Sequence, residues 1–266
     1  MAKIRLDKYY TPPDLAEYIV NKTKEIIGEQ NITEYIEPSA GAGVFLDYLD
    51  KPYLAYDIEP EDSRVVEQDY LELELEYKRG RCVIGNPPFG AGNTLSVRFY
   101  KKSIKLADYI AFIQPISQLN NNMQMYEFDL VYSKDLGLRN YSGKQLHCCF
   151  NIYKRPQNNK LNKRPNYKLK DVTIIENRRG GNLVIPPGYD YVMGVYGAGC
   201  VGKVPNKIGQ YSVECYFYIK NKELKNKVLD VLKNYDWKGI SKAISTPKLP
   251  QWRIFKVLKE QIPELK

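Results

Sequence analysis

Histidine is almost absent from this chain: His147 is the only one among 266 residues. The five cysteines, Cys82, Cys148, Cys149, Cys200 and Cys215, are odd in number and include no Cys-x-x-Cys pair, so neither a zinc site nor a disulfide framework is expected. Whatever chemistry the chain performs is expected to run without a bound metal and without a histidine base. No apolar run is long enough to span a bilayer, and no signal-peptide pattern is visible. The expected location is therefore the cytoplasm, with no membrane partner. Internal repeats are lacking as well.

The chain does have enough length and enough apolar content, 43%, for one large α/β domain and a smaller one. Its net charge of +9 is unevenly spread: residues 1–90 hold 10 Lys+Arg against 18 Asp+Glu, whereas residues 91–266 hold 30 against 13. An excess of that size in one part of a chain favours a polyanionic partner over a merely solvated surface.

Cys82-Val83-Ile84 reads as a short buried strand, and it runs into Gly85-Asn86-Pro87-Pro88-Phe89. The two prolines hold the preceding residues out of the helical region, so Asn86 sits in an extended corner at the carboxyl end of a strand. Open α/β sheets bind ligands at that edge. The Asn86 side chain and the Pro87 carbonyl offer oxygen acceptors and Phe89 a ring, a set suited to a planar amine; equally, an Asn-Pro-Pro turn can simply end a strand.

Upstream, Thr11-Pro12-Pro13-Asp14 is a helix start, with Thr11 as the cap, Pro12 at the first helical position and an apolar stripe from Leu15 to Ile27. Tyr35 to Leu46 reads as strand, glycine turn and helix, with Gly41 and Gly43 either admitting a ligand to the backbone or allowing close packing. Tyr53 to Pro60 is a second strand ending in Asp57 and Ile58, where the carboxylate can serve ribose hydroxyls or a cap. Val65 to Tyr70 is a third, ending in Asp69 and Tyr70.

Beyond the corner, Gly90-Ala91-Gly92-Asn93 is a hinge or a turn before a helix from about Thr94 to Ala107. A fifth strand is expected at Tyr109–Ile113, a polar helix over 116–135 and a hairpin strand at Leu146–Tyr153. The Lys154–Lys170 stretch is a linker or a phosphate-gripping loop. Strands at Val172–Ile175 and Tyr211–Ile219 and helices at Asn221–Tyr235 and Trp252–Leu258 complete the chain. Among them Arg178, Arg179, Tyr189, Tyr191, Tyr196 and Lys203 suit base and phosphate contacts, although a tyrosine-rich β core explains the aromatics equally well.

Asn86-Pro87-Pro88-Phe89 resembles the Asn/Asp-Pro-Pro-aromatic motif of amino methyltransferases, and Glu37-Pro38-x-x-Gly41-x-Gly43-x-Phe45 is similar to the S-adenosylmethionine motif of the N6-adenine DNA methyltransferases. The resemblance covers about residues 8–155. It implies a Rossmann-like class I methyltransferase domain, residues 1–155, with a mostly parallel seven-stranded sheet, followed by a small basic target-recognition domain, residues 156–266. It also implies Asn86, Pro87 and Phe89 as catalytic residues, Phe89 and Phe150 as stacking partners of a flipped adenine, and Tyr10, Thr11, Pro12, Glu37, Ser39, Gly41, Gly43, Asp57, Ile58, Asp69, Tyr70 and Asn86 as neighbours of S-adenosylmethionine. Core packing of Phe150 is an equally open expectation. Double-stranded DNA is the expected partner, gripped by Lys163, Arg164, Lys168 and Lys170 and read by Arg178 and Arg179, with a cognate restriction endonuclease alongside. The alternatives are an RNA or protein-glutamine methyltransferase, or a catalytically silent DNA-binding subunit.

Overall fold

A computed structural model describes residues 9–181, 184–244 and 246–266. The chain divides into two compact units, Met1–Pro165 and Asn166–Lys266, so the division falls at Pro165 rather than at residue 155.

The first unit is built on seven strands: β1 (Glu34–Glu37), β2 (Tyr53–Asp57), β3 (Val66–Glu67), β4 (Arg81–Gly85), β5 (Tyr109–Pro115), β6 (Asp129–Tyr141) and β7 (Lys144–Lys154). Their order is β3-β2-β1-β4-β5-β7-β6. β3 through β5 run parallel and β7 alone is reversed between β5 and β6. This is the expected Rossmann-like, mostly parallel seven-stranded sheet. Every residue of β1, β4 and β5 is buried; β4 and β5 accordingly carry the continuous apolar runs Cys82–Ile84 and Tyr109–Ile113, whereas β1 sets Tyr35 and Ile36 between two glutamates.

Helix α1 (Pro13–Ile27) covers one face, where Leu15, Ile19 and Val20 pack with Cys82, Ile84, Ala111, Ile113, Phe150 and Ile152. Helix α2 (Thr94–Leu106) covers the other, where Phe99, Tyr100 and Ile104 pack with Ile36, Val83, Ile110, Phe112 and Tyr153. The chain therefore reverses strand order beside β1 and β4, and the carboxyl ends of those two strands form the edge on which a ligand is expected.

Four local expectations are corrected. Thr11 does not cap α1; Pro12 occupies the cap position in an extended conformation and the helix begins at Pro13, leaving the Thr11 hydroxyl for another partner. The helix expected after the glycine turn is only a short 3-10 turn, Leu46–Tyr48, because Gly41 and Gly43 are left-handed and Pro52 follows too soon for a full helix. The third strand shrinks to two residues, and Asp69 lies in a turn beyond it, its carboxylate accepting from Leu71 N at 2.8 Å. The polar helix over 116–135 is absent: after a single 3-10 turn, Ile116–Gln118, the left-handed Asn120 (φ 50°) breaks the chain direction and Asp129–Tyr141 pairs along β7.

The second unit is a three-stranded antiparallel sheet, β8 (Val172–Arg178), β9 (Tyr191–Gly194) and β10 (Val213–Ile219), in the order β8-β10-β9. It carries α3 (Lys225–Asn234), α4 (Trp237–Ile240) and α5 (Gln251–Gln261). Its core gathers Met193, Cys215, Phe217, Val228, Leu232, Trp237, Ile254 and Leu258, and the buried Trp237 indole donates to Leu232 O at 3.0 Å. Strand β9 was not foreseen, because glycines surround it. Among the described residues no helix is long and apolar enough to cross a membrane.

Candidate active site

Strand β4 delivers Asn86 to the sheet edge, and the segment before α1 fixes how its amide points. Nδ2 of Asn86 donates to Tyr9 O at 3.1 Å and to Thr11 Oγ1 at 3.2 Å. Both donors of the amide are thereby engaged, which assigns the remaining atom, Oδ1, as the free acceptor. Oδ1 is buried with no protein partner. This is the physical use of the Thr11 hydroxyl, and it ties two of the sequence motifs together across 75 residues. Tyr10 joins the same arrangement: its N–H donates to Ser142 Oγ at 3.1 Å in the β6–β7 turn, and its hydroxyl donates to Glu61.

Glu37 ends β1 directly beside this corner. Gly85 has φ of 152°, a backbone conformation that residues with side chains rarely adopt, and its Cα faces Glu37, whose Cγ would lie 3.4 Å from an added Cβ, an ordinary contact. The Ser39 hydroxyl donates to Asn86 O at 3.4 Å. Glu37 is 1% exposed and its Oε2 has no partner. Burial pushes its carboxyl well above the usual range, the negative charge of Asp57 pushes it further, and Arg64 opposes both. An uncharged, unsatisfied buried acid is costly to the fold alone, and its position at the ligand edge suits a cation brought in from outside.

Asp57 closes the glycine turn. Its Oδ2 accepts from Gly41 N at 2.8 Å and its Oδ1 from Glu59 N at 2.9 Å. Gly41 needs its φ of 50° for that contact, and an added Cβ would still find ordinary room beside Tyr10. Gly43 lies further along, against Asp62, and Ile58 stands 47% exposed beside Asp57. The structure thus brings Tyr10, Thr11, Glu37, Ser39, Gly41, Asp57 and Asn86 to one edge.

Three expected roles are not supported by where the side chains lie. Tyr70 is 1% exposed, stacks on Phe99 at 5.4 Å and shares a hydrogen bond with Ser103 at 2.9 Å, so it packs under α2 instead of lining the ligand edge. Phe150 is wholly buried in the middle of β7 on the α1 face, with Tyr132 edge-on at 5.9 Å; a residue there has no face to offer a base. Phe89 is also buried, and the Tyr9 ring stacks on it at 6.1 Å, so it is a packed part of the corner. Replacing Phe150 by Ala is expected to lower stability by about 3–5 kcal/mol through cavity formation, and thermal unfolding with and without nucleic acid checks it. A variant with normal melting but weakened nucleic-acid binding would contradict the core placement.

No family model and no curated protein matches the chain. Solved structures resemble it at low identity. A Pyrococcus horikoshii protein, provisionally described as an RNA methyltransferase, is 16% identical over 58% of this chain and 89% of its own, with a TM-score of 0.45. A Listeria monocytogenes protein, provisionally described as a class I S-adenosylmethionine-dependent methyltransferase, is 13% identical over 62% of this chain and 65% of its own, with a TM-score of 0.45. The magnesium protoporphyrin IX methyltransferase of Synechocystis, solved with S-adenosylmethionine bound, is 10% identical over 54% of this chain and 79% of its own, with a TM-score of 0.40.

Tyr9 and Asn93 belong to the corner and escaped the sequence reading. The signal for Tyr9 was available in the Tyr9-Tyr10 doublet; its ring covers Phe89, Lys144 lies 5.1 Å over it, and its carbonyl holds Asn86. Among the described residues no group of three His, Cys, Asp or Glu is placed to hold a metal.

In the second unit the candidate nucleic-acid residues differ from one another. Lys168 and Lys170 are exposed, as are Lys163 and Arg164 at the end of the first unit. Arg178 is exposed and faces Glu176 at 3.2 Å. Arg179 donates to Gly209 O at 3.1 Å and to Gln210 O, so its guanidinium holds a loop of its own unit. Tyr191 is buried against Phe217, which assigns it to the core, while Tyr196 is 38% exposed.

Proposed function

We propose that the chain transfers a methyl group from S-adenosylmethionine to the N6 amino group of adenine in double-stranded DNA. The observation that supports this most directly is the oriented Asn86 amide, whose carbonyl is buried, unpartnered and adjacent to the orphaned Glu37 carboxyl. An acceptor aimed at an amine beside an acid waiting for a cation fits one amine substrate and one sulfonium amino acid.

S-adenosylmethionine supplies the electrophilic methyl group. Glu37 would hold its ammonium group, with Tyr10, Ser39 and the Gly41–Gly43 turn around its amino-acid end, and Asp57 and Ile58 at its ribose and adenine, with Asp69 in the turn beyond. An adenine amine is a poor nucleophile because its lone pair is delocalised into the ring. Asn86 Oδ1 and the Pro87 carbonyl accept its two hydrogens and localise that lone pair. The chain thus works by positioning and electrostatics, with no covalent enzyme intermediate. Reaching the corner requires the base to leave the duplex.

Asn166–Lys266 holds 18 Lys+Arg against 9 Asp+Glu, the entire net charge of the chain, while Met1–Pro165 holds 22 of each. A grip on phosphate by the second unit and the segment leading to it accounts for that division. Neutralising Lys163, Arg164, Lys168 and Lys170 together is expected to flatten the slope of log affinity against log salt by about 3 and to weaken all DNA sequences alike. Isotherms at several salt concentrations read this, and an unaltered slope makes the segment a tether only. Transfer of radiolabelled methyl groups to unmethylated DNA, to RNA and to protein tests the whole proposal. Label in adenine of DNA is the expected result; label confined to RNA or protein overturns the acceptor, and none at all overturns the activity.

A further inference from the structure

Asparagine tolerates the left-handed backbone at this position better than most residues that carry a side chain, yet the amide of Asn93 serves no visible structural purpose. It is the cap residue of α2, yet its side chain makes no capping hydrogen bond, the usual reason for asparagine there. Its φ is 68°, a conformation that glycine adopts with less strain. It is 5% exposed, and both Nδ2 and Oδ1 are buried without a partner. A glycine would satisfy the backbone and leave no orphaned polar atoms, as Gly92 with its φ of 60° does one residue earlier. Folding alone selects against this side chain.

Its place in the chain ties it to the Asn86 corner. Pro88 O accepts from Ser96 Oγ at 3.2 Å, Phe89 O from Leu95 N at 3.1 Å and Gly90 O from Asn93 N at 3.2 Å, so the start of α2 is laced back onto the Pro-Pro-Phe turn. An amide presents one donor group and one acceptor side by side. With both hydrogens of the amine taken by Asn86 and Pro87, the donor half of the Asn93 amide complements a ring nitrogen flanking that amine, and adenine has one on each side of it.

We propose that Asn93 reads the base delivered to Asn86, its Nδ2 donating to a ring nitrogen flanking the amine, so that it sets which base is accepted. This rests on the adenine reading of the Asn86 corner.

Asn93→Gly tests this, because glycine keeps the positive φ. With unmethylated plasmid DNA as acceptor, kcat/KM is expected to fall about tenfold to a hundredfold with cofactor affinity unchanged and the melting temperature equal or higher. Oligonucleotides made with 1-deazaadenine or 7-deazaadenine identify the nitrogen: one of them should slow the wild-type chain by the same factor and show no further loss with Asn93→Gly. Unchanged kcat/KM overturns the proposal, as does a marked fall in melting temperature, which would make Asn93 structural. Asn86→Ala, run in parallel, separates the two levels. If Asn86→Ala retains transfer, the corner itself has been misread; if it is inactive while Asn93→Gly is normal, only the role of Asn93 fails.

Discussion

Asn86→Ala is expected to reduce methyl transfer by about 10²–10³-fold or more while leaving affinity for S-adenosylmethionine within a few-fold. In the proposed reaction its carbonyl would act on the amine of the acceptor, and that of Pro87 survives the substitution. The fold should tolerate the change at a cost of about 1–3 kcal/mol, because no new charge is introduced but Tyr9 O and the buried Thr11 Oγ1 each lose a donor. Single-turnover rates with saturating cofactor, beside cofactor binding by calorimetry, give both numbers from one protein. Near-normal turnover would sink the mechanism.

Glu37→Gln is expected to act in opposite directions on binding and on stability. If Glu37 meets the cofactor's ammonium group as proposed, losing the carboxylate should weaken cofactor binding by about 3 kcal/mol or more, the usual result of removing one partner of a buried ion pair. The stability of the ligand-free chain relative to wild type should, by contrast, rise with pH, because a buried acid that resists ionisation is replaced by an amide of the same shape that does not titrate. The sign follows from linkage: the folded chain keeps the Glu37 proton to a higher pH than the unfolded chain, whose carboxyl titrates at about 4.3. The wild type therefore loses stability relative to Glu37→Gln as pH rises from that value toward the raised folded one, and the gap should vanish in more acidic solution. Binding of the cofactor should release a proton, so affinity in the wild type rises with pH over the same interval. Melting curves across pH, with calorimetry in buffers of different ionisation enthalpy, test both halves. A Glu37→Gln chain that melts no higher at pH 8 than at pH 4, relative to wild type, would show that Glu37 is ionised and satisfied in the empty site.

The sequence made the first sheet readable because its central strands are fully buried and announce themselves as short apolar runs, Tyr35-Ile36, Cys82–Ile84 and Tyr109–Ile113. The corner was readable because two prolines leave the backbone few choices. What misled was local: Asn120–Asn122 looks like the exposed face of a helix, whereas a left-handed asparagine makes it a turn before β6. Side-chain direction was the other blind spot. Tyr70 and Phe150 stand at the right places along the chain for a ligand, but a one-residue difference in a strand or turn reverses the face, and both point into the core. Asn93 was invisible for a different reason: in sequence it is an ordinary helix cap, and only its unmet polar atoms mark it.

The orientation of the Asn86 amide depends on Tyr9 and Thr11, 77 and 75 residues away, and those in turn hang from Ser142, 132 residues from Tyr10. Such distant contacts carry a loop-closure cost, although one that grows only slowly with the length of chain between them. The β6–β7 hairpin and the central parallel strands can assemble without them. The ligand edge therefore owes its one aimed carbonyl to residues far away along the chain, so a change at the β6–β7 turn can disturb the corner without touching it.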